Sequence, residues 1–158
     1  MGLYTNTLQD STEINLGVLG MPANHTHQLL EAVLVAKLFD VCEELNLAVM
    51  TEGKNKDHEN STRVADVLII NDNGEAVVII EICAPETENE AKVRIQEFFE
   101  TNPNSMKEAF IYNFIDDNWE YYRNGRKMQL NTICKTVNRD LKRIVENSKV
   151  YKEEIKGK

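Results

Sequence analysis

Cysteine is scarce in this chain: Cys42, Cys83 and Cys134 are odd in number, far apart and never in a C-x-x-C arrangement. That excludes a disulfide framework and a cysteine zinc site. Proline and glycine are also sparse, at 3 and 7 residues in 158, which excludes a collagen-like or low-complexity chain. No apolar run approaches the ~18 residues that span a bilayer. The N-terminus lacks the basic-then-apolar layout of a secretory signal, so the expectation is a cytoplasmic protein with no membrane partner. On that expectation the sequon Asn60-Ser61-Thr62 is a chance match. An excess of positive charge is missing too: 18 Lys/Arg face 26 Asp/Glu, a formal charge of −8. Such a balance argues against a protein that coats nucleic acid or anionic membrane through bulk charge.

What is there is 42% apolar and 28% charged, the composition of one globular domain, taken here as residues 1–158. A chain of this size buries roughly 70% of its unfolded surface and needs no staple. The charge is unevenly spread, because residues 1–119 carry 7 Lys/Arg against 21 Asp/Glu while residues 120–158 carry 11 against 5. A basic C-terminal block on an acidic body is either a phosphate-contacting surface or a solvated helix.

Residues 1–23 read as an irregular arm ending at Gly20-Met21-Pro22. From Asn24, a candidate N-cap, to Leu45 the stripe Leu30, Leu34, Leu38, Val41 and Leu45 predicts a helix. Residues 51–62 have the composition of an exposed loop. Then come two β-branched runs, 63–70 (RVADVLII) and 75–83 (EAVVIIEIC), joined through Asn73-Gly74, the preferred two-residue hairpin turn. Both runs are apolar on both faces, which is the pattern of central strands. A helix over 88–100 with Val93, Phe98 and Phe99 inward, a strand over 107–116, another over 119–123 and a turn at Asn124-Gly125 follow. From Thr132 the stripe Ile133, Val137, Leu141, Ile144 and Val145 predicts a basic amphipathic helix through residues 132–158. The sum is an α+β or α/β domain with a mixed sheet.

Two acids interrupt the apolar hairpin, Asp66 and Glu81. With a two-residue turn at Asn73-Gly74 every cross-strand pair sums to 147, which sets Asp66 opposite Glu81 with Cβ atoms ~4.5–5.5 Å apart. Like charges that close inside a sheet are costly unless a proton or a cation lies between them. The bland alternatives are strand ends open to water, or pairing of each acid with a base such as Arg63. Two carboxylates on adjacent strands otherwise suit Mg²⁺, which takes one or two of them and keeps waters for substrate. Reading Asp72–Glu75 as a Ca²⁺ loop fails, since the twelve-residue ligand spacing is absent.

Asp66, a fourteen-residue spacer containing a hairpin turn, and Glu81-Ile82-Cys83 resemble the PD-(D/E)XK signature of the restriction-endonuclease-like superfamily, and the order of elements over residues 24–122 is similar too. The resemblance implies a metal-dependent nuclease cutting DNA phosphodiester bonds with Mg²⁺ (or Mn²⁺). Asp66, Glu81, the carbonyl of Ile82 and Glu31 on the preceding helix would bind the ion. Cys83 stands where the family carries its Lys, and Lys92 in the following helix, with Gln96 on its face, is the candidate replacement as a catalytic cation. His27, at i−4 from Glu31, either joins the site or is an idle surface residue. Arg123, Arg126, Lys127, Arg139, Lys142 and Arg143 are the candidate nucleic-acid contacts, and a homodimer would suit such a nuclease. The second reading is a catalytically inactive member of the fold, kept as a binding or assembly module.

Overall fold

A computed structural model of the chain describes residues 22–54 and 64–157. Helix α1 (Pro22–Glu44) leads into strand β1 (Ala48–Lys54), then β2 (Val64–Ile70) and β3 (Ala76–Cys83). A 3₁₀ turn (Pro85–Thr87) opens helix α2 (Glu88–Thr101), followed by β4 (Glu108–Asn113), β5 (Asn118–Arg123) and β6 (Arg126–Met128). The chain closes with a small hairpin of β7 (Ile133–Cys134) and β8 (Arg139–Asp140), the short helix α3 (Leu141–Glu146) and a π-helical turn (Tyr151–Ile155).

The six strands form one mixed sheet in the order β1-β2-β3-β4-β5-β6. Only β3 and β4 run parallel, and α2 is the crossover between them. The mixed sheet flanked by helices is the fold class expected. One face packs Val67, Ile69, Val78, Ile80, Phe110 and Tyr112 against the α1 stripe Leu30, Leu34, Leu38 and Val41. The other packs Leu68, Ile79, Cys83, Ala109 and Ile111 against Ala91, Ile95, Phe98 and Phe99 of α2. Every residue of β3 is buried, as its unbroken apolar run requires. No helix among the described residues is long and apolar enough to cross a membrane.

The hairpin register was reached by two departures that cancel. Asn71 N–H bonds to the Glu75 carbonyl across a three-residue loop with Gly74 at φ 76°, so Ile70 pairs with Ala76, one residue short of the expected register. A bulge then adds Val77 to β3, and Ile69↔Val78, Leu68↔Ile79 and Val67↔Ile80 return to the sum of 147. Val77 and Val78 consequently pack into the same core.

Four expectations change. Helix α1 begins at Pro22, so Asn24 lies inside it rather than capping it; proline suits a first helical position. Residues 48–54 form the edge strand β1, whose largely exposed side chains give the polar composition of a loop. The loop expected over 55–62 and the arm over 1–21 lie outside the described residues. In α2, Val93 is 49% exposed, on the side opposite Ala91 and Ile95.

The basic helix expected from residue 132 is reduced to Leu141–Glu146. The cause is Glu108, a buried carboxylate at the start of β4 that is 2% exposed. It accepts the N–H groups of Lys135 and Thr136 at 3.1 and 2.8 Å, the Thr136 hydroxyl at 2.7 Å, the Tyr121 hydroxyl at 3.0 Å and the Cys134 thiol at 3.3 Å. Backbone N–H groups spent on a distant carboxylate cannot also bond to i−4 carbonyls. Asn138 then turns the chain at φ 53°, and Asp140 caps α3 by accepting from Arg143 N–H.

Candidate metal centre

The inner stripe of α1 turns polar at its N-terminal end. Leu30, Leu34 and Leu38 are fully buried, but one turn earlier the same face presents His27, with Glu31 beside it. That polar end lies against the start of β2, where the ladder to β3 opens. Val67↔Ile80 is the last backbone pair. Beyond it the Asp66 carboxylate itself takes the Ile82 N–H, at 2.7 Å, in place of a main-chain carbonyl.

Asp66 is therefore the hub. His27 Nε2 stands 3.3 Å from Asp66 Oδ2, and His27 Nδ1 stands 3.7 Å from Glu31 Oε1, so one imidazole bridges two carboxylates. Ligand atoms of His27, Glu31 and Asp66 all lie within 4.8 Å of one another. Glu81 adjoins this group through Asp66 and is 0% exposed. Its Oε2 accepts from Arg94 Nε at 2.8 Å, while its Oε1 is enclosed with no hydrogen-bond partner.

The electrostatics follow from crowding. Burial, then the charges of Asp66 and Glu52, push the Glu31 carboxyl up to about 7 against the pull of His27. Glu81 is held well above the ordinary carboxylate range by burial and by Asp66, which together outweigh the Arg94 guanidinium. Burial alone would lower the His27 pKa, yet its bond to Asp66 and the charges of Asp66 and Glu31 raise it. The raised acids reflect the cost of ionising crowded, buried carboxylates, and the raised His27 reflects the attraction of an imidazolium to them.

Glu52 was not foreseen. It lies on β1 between the paired Thr51↔Val67 and Gly53↔Ala65, level with Asp66, and holds a left-handed backbone at φ 51°. The level continues across the sheet through the pairs Glu81↔Ile111 and Ile111↔Glu120, so four of five neighbouring strands carry an acid on one rung.

Helix α2 lays its cations over that rung. With Ala91, Ile95, Phe98 and Phe99 facing the sheet, positions 92 and 94 fall on opposite flanks of the helix. Arg94 takes the β3 flank and reaches Glu81. Lys92 takes the β5 flank, where its amine is 3.2 Å from Glu88 and 3.9 Å from Glu120; among its ion-pair partners neither Asp66 nor Glu81 appears. Gln96 lies on the Lys92 flank beside Gly125, and its amide donates to Glu100. Glu120, bonded to the Tyr122 hydroxyl at 2.6 Å and to Lys127 at 2.9 Å, is held below the ordinary carboxylate range by those donors despite its burial. Of the two α2 cations, Arg94 is the one in contact with Glu81, and Lys92 meets Glu88 and Glu120 instead.

Cys83 is a buried free thiol, raised to about 12 by burial and by the surrounding carboxylates, and supplies no positive charge. Ile82 contributes its N–H to Asp66. The basic residues proposed for nucleic acid are dispersed rather than ranged along one helix. Arg123 ends β5, Arg126 and Lys127 lie on β6, and Lys142 pairs with Glu146 at 3.8 Å. Arg139 and Arg143 border a cavity of about 450 Å³ with Lys37.

No protein-family model matches this sequence. No curated protein matches it either. Among solved structures, the chain is similar in fold to a protein from Anabaena variabilis described as "a putative nuclease belonging to DUF820", with a TM-score of 0.56 and 13% sequence identity over 75% of this chain and 79% of the other. At that identity the likeness concerns the fold alone.

Proposed function

We propose that this chain is a metal-dependent nuclease of the PD-(D/E)XK type that hydrolyses DNA phosphodiester bonds. The supporting observation is Glu81 Oε1, a carboxylate oxygen buried beside a second carboxylate with no donor to satisfy it. An unsatisfied buried acceptor costs ~1–3 kcal/mol, more when charged; a proton between Glu81 and Asp66 relieves it in the free protein, and a bound cation would take that proton's place. The nuclease-like fold of the Anabaena protein agrees with this reading.

The donor set fits a divalent cation. Asp66, Glu81 and Glu31 offer the hard oxygens that Mg²⁺ takes, and the His27 imidazole extends the set toward Mn²⁺. When bound, such an ion lowers the pKa of a coordinated water and polarises a phosphoryl oxygen. The Ile82 N–H fixes the Asp66 carboxylate, and the Ile82 carbonyl would complete the set. Glu31 and His27 would lose protons as the ion binds, and whichever of the two does not ligate it would be placed to accept a proton from the attacking water. Arg94 stays charged throughout and would stabilise the charge developing on phosphorus. Arg94 also lines a cavity of about 380 Å³ on the outer side of α2 with Asn89, Glu90 and Val93.

The reading is tested by cleavage of plasmid and single-stranded DNA with Mg²⁺ or Mn²⁺, against a chelator control. Activity should disappear in Asp66→Ala and Glu81→Ala and fall at least ~100-fold in Arg94→Ala. Cleavage unchanged by all three substitutions refutes it. A second reading, a metal-binding module without catalysis, is favoured by one observation: neutral Cys83 occupies the position of the motif lysine. Metal binding without cleavage by the wild type would select it.

A further inference from the structure

The sheet carries a second polar concavity toward its other end. Its anchor, Glu108, opens β4 and pairs with Val78, three residues before Glu81 and so about 10 Å back along the strand. Glu108 alternates with Phe110 and Tyr112 on the α1 face, whereas Arg94 covers Glu81 from the α2 face. The cavity measures about 520 Å³ and brings together Lys107, Arg123 and Lys135 with Asn104, Asn124 and Thr136.

Three cations line this cavity in a chain of charge −8. Lys92, Lys127, Lys142 and Lys149 each have a carboxylate within 4 Å. None of Lys107, Arg123 or Lys135 has one among the described residues. The acid in the cavity wall does not serve them, because both Glu108 oxygens are taken up by the five donors that fix residues 134–136 and Tyr121. The same bonds hold the Lys135 backbone in place at the rim, so the single negative charge of Glu108 faces three cations and leaves the cavity net positive. Convergent cations in excess of the local acid, flanked by amides, recognise phosphate by charge and hydrogen bonding. The volume exceeds that of a single phosphate and falls within the range of ~300–1,000 Å³ usual for small-molecule sites.

We propose that this cavity is an anion site for a phosphate group, borne either by a free nucleotide or by a nucleic-acid strand. The proposal is independent of the cleavage reading, since it involves neither Asp66 nor Glu81. It is tested on the full chain in chelator, which keeps the acidic site out of play, by amide NMR titration with pyrophosphate, with adenosine monophosphate and with a single-stranded oligonucleotide. Saturable shifts should centre on Asn104, Asn124 and Lys135, and binding should weaken at least ~10-fold in Arg123→Gln/Lys135→Gln, each charge removed also reducing the salt dependence. Circular dichroism and thermal melting of that variant should match wild type. Saturation by pyrophosphate or the mononucleotide without competition from DNA assigns the site to a small ligand. Competition by DNA assigns it to a strand. The proposal is overturned if none of the three probes saturates by about 10 mM, or if binding survives the double substitution.

Discussion

Glu31→Gln isolates the self-repulsion of the acidic site. Glu31 is 5% exposed and its carboxyl is raised from an ordinary 4.5 to about 7. A carboxyl raised on folding contributes stability that is fully present below its unfolded pKa and is lost as pH climbs through the folded one. Moving from 4.5 to about 7 at 1.36 kcal/mol for each pKa unit amounts to about 3 kcal/mol lost between pH 4.5 and pH 8. The glutamine amide copies the protonated acid in shape and charge, so Glu31→Gln should leave stability unchanged at pH 4.5 and remove this loss at pH 8. For a chain of this length, about 3 kcal/mol corresponds to a Tm higher by ~6–12 °C at pH 8. The assay is calorimetry in chelator at both pH values. Equal melting temperatures of variant and wild type at pH 8 would refute the argument that burial and its acidic neighbours make Glu31 costly to ionise.

Three further outcomes follow from the same geometry. Arg94→Met strips Glu81 of its cation and should cost ~3–5 kcal/mol in urea unfolding at alkaline pH, a cost that shrinks as pH falls because the Glu81 pKa is raised; the double variant Glu81→Met/Arg94→Met should recover most of the loss. Glu108 is held below the ordinary carboxylate range by its donors despite burial, so its stabilisation is present above pH 4.5 and lost as pH falls below it. Glu108→Gln should accordingly abolish that acid-side loss and hasten proteolytic nicking within residues 131–140. Gly53→Ala places a Cβ 2.7 Å from Leu68 Cβ and against its Cδ2, and overpacking of that kind should cost ~1–3 kcal/mol, read as a lower urea midpoint.

The parts of this fold that repeat locally were legible in the sequence. The α1 stripe, the two central strands and α2 all come from short-range periodicity, and the expected hairpin register survives because the longer loop and the Val77 bulge offset each other. What the sequence concealed was long-range. Ile133, Val137 and Leu141 keep helical spacing, yet Glu108, 27 residues before Lys135, takes the N–H groups such a helix needs. Strand β1 was hidden because an edge strand with an exposed face carries too little apolar signal. For the site, Glu31, Asp66 and Glu81 were legible as acids in apolar surroundings. Arg94 was passed over in favour of Lys92 because its contact with Glu81 depends on helix rotation: Ala91, Ile95 and Phe98 set that rotation, and small Ala91 is easily overlooked as part of a stripe. His27 became informative only once both its nitrogens were seen to face carboxylates.

The central claim is that Asp66, Glu81, Glu31 and His27 form a cation site. Isothermal titration of the metal-free chain with Mn²⁺ and Mg²⁺ at pH 8 tests it most directly. One saturable ion per chain, lost in Asp66→Asn and weakened in His27→Ala more for Mn²⁺ than for Mg²⁺, is the expected result. No saturable heat for either ion in the wild type, or binding indifferent to Asp66→Asn, would contradict it.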